Sequence, residues 1–112
     1  MRSFVTAALE GGQFDVTQAK NGFEALKILP RVVFDLIVTD INMPDINGLE
    51  LVRFIRESER HAHTPLILIS TDNRPADVER GMRLGADAYL TKPFAPEALL
   101  EVASRVIEAR KQ

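Results

Sequence analysis

Three residues of this chain could serve one chemistry together. Asp40, Ser70 and Lys92 each close a short apolar run: Phe34-Asp35-Leu36-Ile37-Val38-Thr39-Asp40, Pro65-Leu66-Ile67-Leu68-Ile69-Ser70 and Ala88-Tyr89-Leu90-Thr91-Lys92. Runs rich in Leu, Ile and Val, bounded by turn residues, read as strands, and the first as a strand buried on both faces. In open parallel α/β sheets the ligand crevice lies outside the carboxyl ends of the strands. If the three strands are parallel neighbours, a carboxylate, a hydroxyl and an ammonium converge at that edge. Such a trio suits phosphoryl transfer onto the carboxylate. Asp40 is the nucleophile, Lys92 neutralises phosphoryl oxygens, and the Ser70 hydroxyl donates to one of them. Lys92 precedes Pro93, where a cis bond is available and would fix the loop that aims the ammonium. Taken singly, each residue is a weak signal, because strand-end Asp and Ser commonly cap turns or bond local backbone. Their joint placement carries the argument.

The elements that must position them follow from periodicity. Phe4, Val5, Ala8 and Leu9 share one helical face, and Gly11-Gly12 stops that helix. Phe14 to Ala19 alternates as a strand would. Asn21-Gly22 has hairpin chemistry, but Phe23 to Leu29 is patterned as a helix that Pro30 ends, so the pair joins strand to helix. After the Asp40 strand, a helix from about Leu49 to Glu59 turns Leu51, Val52 and Ile55 inward and Arg53, Arg56 and Glu57 outward. Asp72 and Asn73 are candidate caps for a helix with Pro75 in its first turn. That helix turns Val78 and Met82 inward and closes at Gly85. A last helix, Pro96 to Arg110, carries Leu99, Val102, Ala103, Val106 and Ile107 on one face. Four strands alternating with five helices predict an α/β protein with a parallel sheet and right-handed crossovers.

Composition narrows the function classes. The 112 residues suit one domain. At 46% hydrophobic, 27% charged and a net charge of −2, the chain is ordinary globular protein and no charge-driven nucleic-acid binder. No apolar run spans a membrane. Without Cys there is no disulfide framework, thiolate metal site or Cys nucleophile. With no secretory signal visible, the expected location is cytoplasmic.

With Asp40-Ile41-Asn42-Met43-Pro44 and Gly48, Ser70-Thr71, Gly85-Ala86, Tyr89 and Lys92-Pro93-Phe94 in place, the chain resembles the receiver domains of bacterial two-component response regulators. It is most similar to the chemotaxis-type single-domain form. The resemblance runs from Met1 to the last helix. It implies a flavodoxin-like, doubly wound parallel sheet with strand order 2-1-3-4-5. It implies a phosphorelay protein, not a turnover enzyme, in which Asp40 accepts a phosphoryl group from a histidine kinase or phosphotransfer protein. Ser70 and Tyr89 would be the switch residues, Lys92 the phosphoryl contact, and Asn42 and Asp72 the tuners of the dephosphorylation rate. Mg²⁺ would be held by Asp40 and the backbone carbonyl of Asn42. The fourth helix, last strand and last helix would form the face that meets a downstream signalling protein.

The sequence also departs from that family. Members begin with a strand ending in an acidic pair, whereas Met1 falls inside the first helix. Residues 1–112 therefore read as an N-terminally truncated receiver lacking the central strand, with an incomplete Mg²⁺ site. An alternative is a degenerate receiver acting as a phosphorylation-independent interaction module. In either case a sheet without its middle strand exposes unpaired edges, and a homodimer with exchanged elements is expected. A flavodoxin-like flavin binder is disfavoured, since no phosphate-cradling loop or aromatic pair is visible.

Other features have plain readings. His61-Ala62-His63 reads as a solvated loop rather than a metal pair. Asp45 reads as the cap of the following helix rather than a hydrolase partner of Asp40. The scattered Arg53, Arg56, Arg60, Arg74, Arg80 and Arg83 read as solvated faces.

Overall fold

The computed structural model describes residues 2–43, 45–71 and 75–111. At its centre lies β2 (Leu66–Ser70), buried along its whole length. β1 (Ile37–Asp40) and β3 (Ala88–Thr91) flank it, both parallel, in the order β1-β2-β3. The register sets Asp40 beside Ile69 and Ser70 beside Thr91, so the carboxyl ends of the strands are level to within a residue.

The two-residue period of a strand sends Ile67 and Ile69 to one face of the sheet and Leu66 and Leu68 to the other. The first pair packs with Ala8 and Leu9 of α1 (Arg2–Gly11) and with Leu99, Ala103 and Val106 of α5 (Pro96–Lys111). The second pair packs with Leu51, Val52 and Ile55 of α3 (Gly48–Glu57) and with Leu29 at the end of α2 (Gly22–Ile28). A fifth helix, α4 (Pro75–Leu84), closes the α3 side. Helices on both faces of a parallel sheet make the expected α/β architecture.

Several expectations are corrected. Phe14 to Ala19 forms no strand, because it pairs with no neighbour in a ladder among the described residues. Instead it faces β1 across a cleft of about 750 Å³, lined by Phe14, Val16, Leu36 and Val38 among others and reaching Asp40. The described sheet thus has three strands, not four. β1 is shorter than the run from Phe34, and Thr39 is its only buried residue, since its far side opens on that cleft. Met82 is 42% exposed rather than inward. Gly81 is the buried residue of α4, and a Cβ there would lie 2.6 Å from Leu68 Cδ1, so the helix approaches the sheet through its glycine. Phe4 is likewise exposed, edge-on to Phe94 at 5.6 Å. The expected caps Asp72 and Asn73 lie outside the described residues.

Arg56 turns inward, against expectation. Its guanidinium donates to the carbonyls of Gly85 at 2.9 Å, His61 at 2.9 Å and Thr64 at 2.7 Å. It also pairs with Asp87 Oδ2 at 3.1 Å. Asp87 holds Arg110 at 2.9 Å and the Leu66 N–H at 2.9 Å. One carboxylate therefore joins α3, β2 and α5 at the amino end of the sheet.

His61 is not a solvated loop residue either. It is 1% exposed, accepts the Phe34 N–H at Nε2 (3.3 Å) and stacks on the Phe34 ring. His63 alone fits the solvated reading. Burial, then the charges of Arg60 and Arg56, hold the His61 pKa below the usual value. The unfolded chain therefore takes up this proton first as pH falls. Stability linked to His61 is present above the unfolded value of about 6.5 and is lost as pH falls through the lower folded value. Urea midpoints should fall more steeply from about pH 7.5 to about pH 5 in the wild type than in His61→Phe.

Candidate functional site

The site is built at the carboxyl edge of the sheet. β1 ends in Asp40, whose carboxylate emerges where the chain turns toward α3. The turn is tight: the Gly48 N–H donates to the Ile41 carbonyl at 2.8 Å, and a Cβ on Gly48 would lie 2.3 Å from the Asp40 carbonyl oxygen. Only glycine permits that approach, so Gly48 of the sequence motif sets the distance between β1 and α3. Asn47 caps α3 through the Leu49 N–H at 2.8 Å.

Lys92 follows β3 directly, and its N–H donates to the Ser70 carbonyl at 2.8 Å. The Lys92–Pro93 bond is cis. The ammonium reaches across the end of β2 to Asp40 Oδ2 at 2.5 Å. Both side chains are largely withdrawn from water, at 12% and 29% exposure, which strengthens the pairing relative to a surface bridge. The other carboxylate oxygen, Oδ1, accepts the Asn42 N–H at 3.3 Å. The Asn42 side-chain amide donates to Ser70 Oγ at 3.3 Å. Ser70 is buried at 1% exposure, and its hydroxyl sits at the floor of the site.

Asp40, Ser70 and Lys92 thus meet at one edge, as the strand ends predicted, and Asn42 joins them into one connected group. Tyr89 is half-buried in β3 and packs against the core on the α3 side. Asp72 lies outside the described residues. Asp45 does not cap α3. Its carboxylate accepts the N–H groups of Gly22 (3.1 Å) and Phe23 (2.9 Å), and so caps α2 instead. The Phe23 N–H, with help from that of Gly22, holds the Asp45 carboxyl below its ordinary pKa. Sequence reasoning missed this, although the unfilled first-turn donors of α2 were a signal, because the Asn21 side chain reaches only the Glu24 N–H.

A carboxylate with one oxygen on an ammonium and one on a backbone N–H, beside a buried hydroxyl, is the donor arrangement that phosphoryl transfer onto a carboxylate calls for.

Comparison with known proteins agrees with this geometry. The family profile of the response regulator receiver domain matches residues 1–104. A chemotaxis protein CheY homolog of Campylobacter jejuni is 35% identical over 97 residues, covering 86% of this chain and 75% of the relative. Chemotaxis protein CheY1 of Helicobacter pylori is 37% identical over 91 residues, covering 80% and 73%. Among solved structures, the chemotaxis response regulator CheY4 of Vibrio cholerae superposes with a TM-score of 0.87 at 35% identity, over 94% of this chain and 88% of that one. The receiver domain of the sensor histidine kinase PA1611 from Pseudomonas aeruginosa, solved with a magnesium ion coordinated in its active site cleft, matches with a TM-score of 0.87 at 27% identity, over 96% and 88%.

Measured against that metal, the described residues bring the Asp40 carboxylate, already on Lys92, and by the family resemblance would add the Asn42 carbonyl. No group of three or more His, Cys, Asp or Glu that could hold a metal occurs among them. Mg²⁺ takes near-octahedral oxygen ligands, of which these two groups would supply a part. Among the described residues no helix is long and apolar enough to cross a membrane. By family profile, fold and strand-end residues together, the chain belongs to the response regulator receiver domains, phospho-accepting signalling modules that work between histidine kinases and downstream targets.

Proposed function

We propose that Asp40 accepts the phosphoryl group, from a histidine kinase, a phosphotransfer protein or a small phosphodonor. The observation that carries this reading is the Lys92 ammonium on Asp40 Oδ2 at the carboxyl edge of the sheet. An Asp40 oxygen attacks phosphorus. The new O–P bond forms as the bond to the donor breaks, and the electron pair of that bond leaves with the donor. Lys92 transfers its attraction from carboxylate to phosphoryl oxygens, and the Ser70 hydroxyl donates to another of them. Of the family's Mg²⁺ ligands, this chain's described residues contribute Asp40 and the Asn42 carbonyl. Asn42 and Asp72 tune the lifetime of the phosphoryl group.

Ser70 and Tyr89 act as the switch. The added charge at Asp40 biases a two-state surface formed by α4, β3 and α5, which a downstream signalling protein reads. Tyr89 is the only Tyr and there is no Trp, so intrinsic fluorescence reports on Tyr89 alone. Adding acetyl phosphate should shift that signal in the wild type and leave it unchanged in Asp40→Asn. An equal shift in both proteins would refute the assignment.

The chain forms a homodimer in which exchanged elements cover strand edges. Support comes from the free edge of β1 and the apolar cleft beside it. Sedimentation at micromolar concentrations should give a dimer, and a stable compact monomer would overturn this.

A further inference from the structure

Asp45 stands five places beyond Asp40, on the loop that leads into α3, yet its carboxylate serves another helix. Oδ1 takes the Gly22 N–H at 3.1 Å and Oδ2 the Phe23 N–H at 2.9 Å. These are the first two helical positions of α2. The helix already has a cap of its own: Asn21 Oδ1 accepts the Glu24 N–H at 2.8 Å, and Glu24 Oε1 accepts the Lys20 N–H at 2.7 Å. Asn21 fills the third donor, and the first two are left for a group from outside the helix. Both oxygens of one carboxylate on two backbone N–H groups form a charge-assisted pair with fixed geometry.

A second observation points the same way. A Cβ on Gly22 would lie 1.6 Å from Ile46 Cγ2, so the loop rests flush on the first turn of α2 and glycine alone allows it. Gly22 is correspondingly buried. The loop is therefore docked by a charged clamp and by a close apolar contact, side by side.

The same loop carries Asn42. Its N–H lies on Asp40 Oδ1 and its amide on Ser70 Oγ, both at 3.3 Å. Those are long bonds from an exposed residue, one from its backbone N–H and one from its side-chain amide, and they hold only while the loop keeps its place. Toward α1 the cleft leaves β1 and Asp40 without a neighbouring strand among the described residues. The α2 contact is then the loop's brace on that side.

We propose that Asp45 is a positioning residue for phosphoryl transfer. By clamping the loop onto the first turn of α2, it fixes Asn42, and through Asn42 the orientation of Asp40 and Ser70. The inference rests on Asp40 being the phosphoryl acceptor. It also makes α2 the element that moves with the loop when the site is modified.

The test uses the full chain and three variants. Asp45→Ala removes the clamp, Asp45→Asn keeps acceptor oxygen without the charge, and Asn21→Ala removes the helix's own cap without touching the loop. Phosphorylation by acetyl phosphate is followed by intact mass. Amide resonances are compared in the unmodified proteins. Asp45→Ala should slow phosphorylation about tenfold, a fraction of what a 1 Å misplacement can cost, with Asp45→Asn between it and the wild type. Asn21→Ala should stay within about twofold of the wild type, although losing a cap loosens α2 to a similar degree. The amides of Asn42 and Ser70 should shift in Asp45→Ala and not in Asn21→Ala. The proposal is overturned if Asp45→Ala is as fast as the wild type, or no slower than Asn21→Ala. If the wild type takes up no phosphoryl group, the acceptor reading has failed and the amides decide alone. Shifts reaching Asn42 and Ser70 uphold the positioning role, and shifts confined to Gly22 and Phe23 refute it.

Discussion

Asp40→Asn should take up no phosphoryl group under conditions in which the wild type is modified. The substitution keeps size and most hydrogen-bonding capacity, so the Asn42 N–H retains an acceptor and the fold is preserved. It removes the charged oxygen that attacks phosphorus. A neutral amide is a far weaker nucleophile, and the Lys92 ammonium, 12% exposed, loses the carboxylate that balances it. The two losses act in one direction. No second carboxylate bonds to Lys92 among the described residues that could stand in for the first. The expected effect is therefore complete loss of uptake rather than a reduced rate, read by mass or by the Tyr89 signal.

The largest effect on stability is expected at the opposite end of the sheet. Asp87 is 20% exposed and meets two guanidinium groups, Arg56 at 3.1 Å and Arg110 at 2.9 Å, as well as the Leu66 N–H. Burial is the main cause that lowers the Arg56 pKa, and the nearby charge of Arg110 adds to it, while Asp87 offsets both. Asp87→Ala leaves two cations facing each other and a strand N–H without its acceptor. Removing one partner of a largely buried pair costs about 3 kcal/mol. Arg56→Ala should cost about 4 kcal/mol, because the carbonyls of Gly85, His61 and Thr64 also lose their donor. The double variant should lose clearly less than the sum, since each change removes the partner of the other. Urea unfolding of the four proteins gives these values. Additive losses, or single losses under about 1 kcal/mol, would show that the network contributes little.

What was legible in the sequence follows physical range. Asp40, Ser70 and Lys92 were legible because strand period and turn residues are local signals, and level strand ends follow from parallel pairing. Arg56 was not. It sits on the flank of the stripe formed by Val52 and Ile55, where pattern alone lets a long side chain turn either way, and the groups that draw it inward come from the irregular segment after α3 and from Gly85 and Asp87 far along the chain. Asp45 and Asn47 are both within reach of the α3 amino end. The choice of Asn47 was made by α2, whose bare first turn draws Asp45 away. Phe14 to Ala19 alternates correctly, but a ladder needs a neighbour in hydrogen-bonding contact, and the cleft separates it from β1. Met82 has the right spacing to face inward. It is held out because Gly81 brings the helix onto Leu68 at a rotation that period alone does not predict. His61 has no sequence signal at all, since a lone buried imidazole is defined by what covers it.

The account stands most directly on the intact mass of the chain after incubation with acetyl phosphate and Mg²⁺, measured beside Asp40→Asn. The prediction is a gain of one phosphoryl group in the wild type and none in the variant. An unchanged wild-type mass, or the same gain in Asp40→Asn, would contradict it.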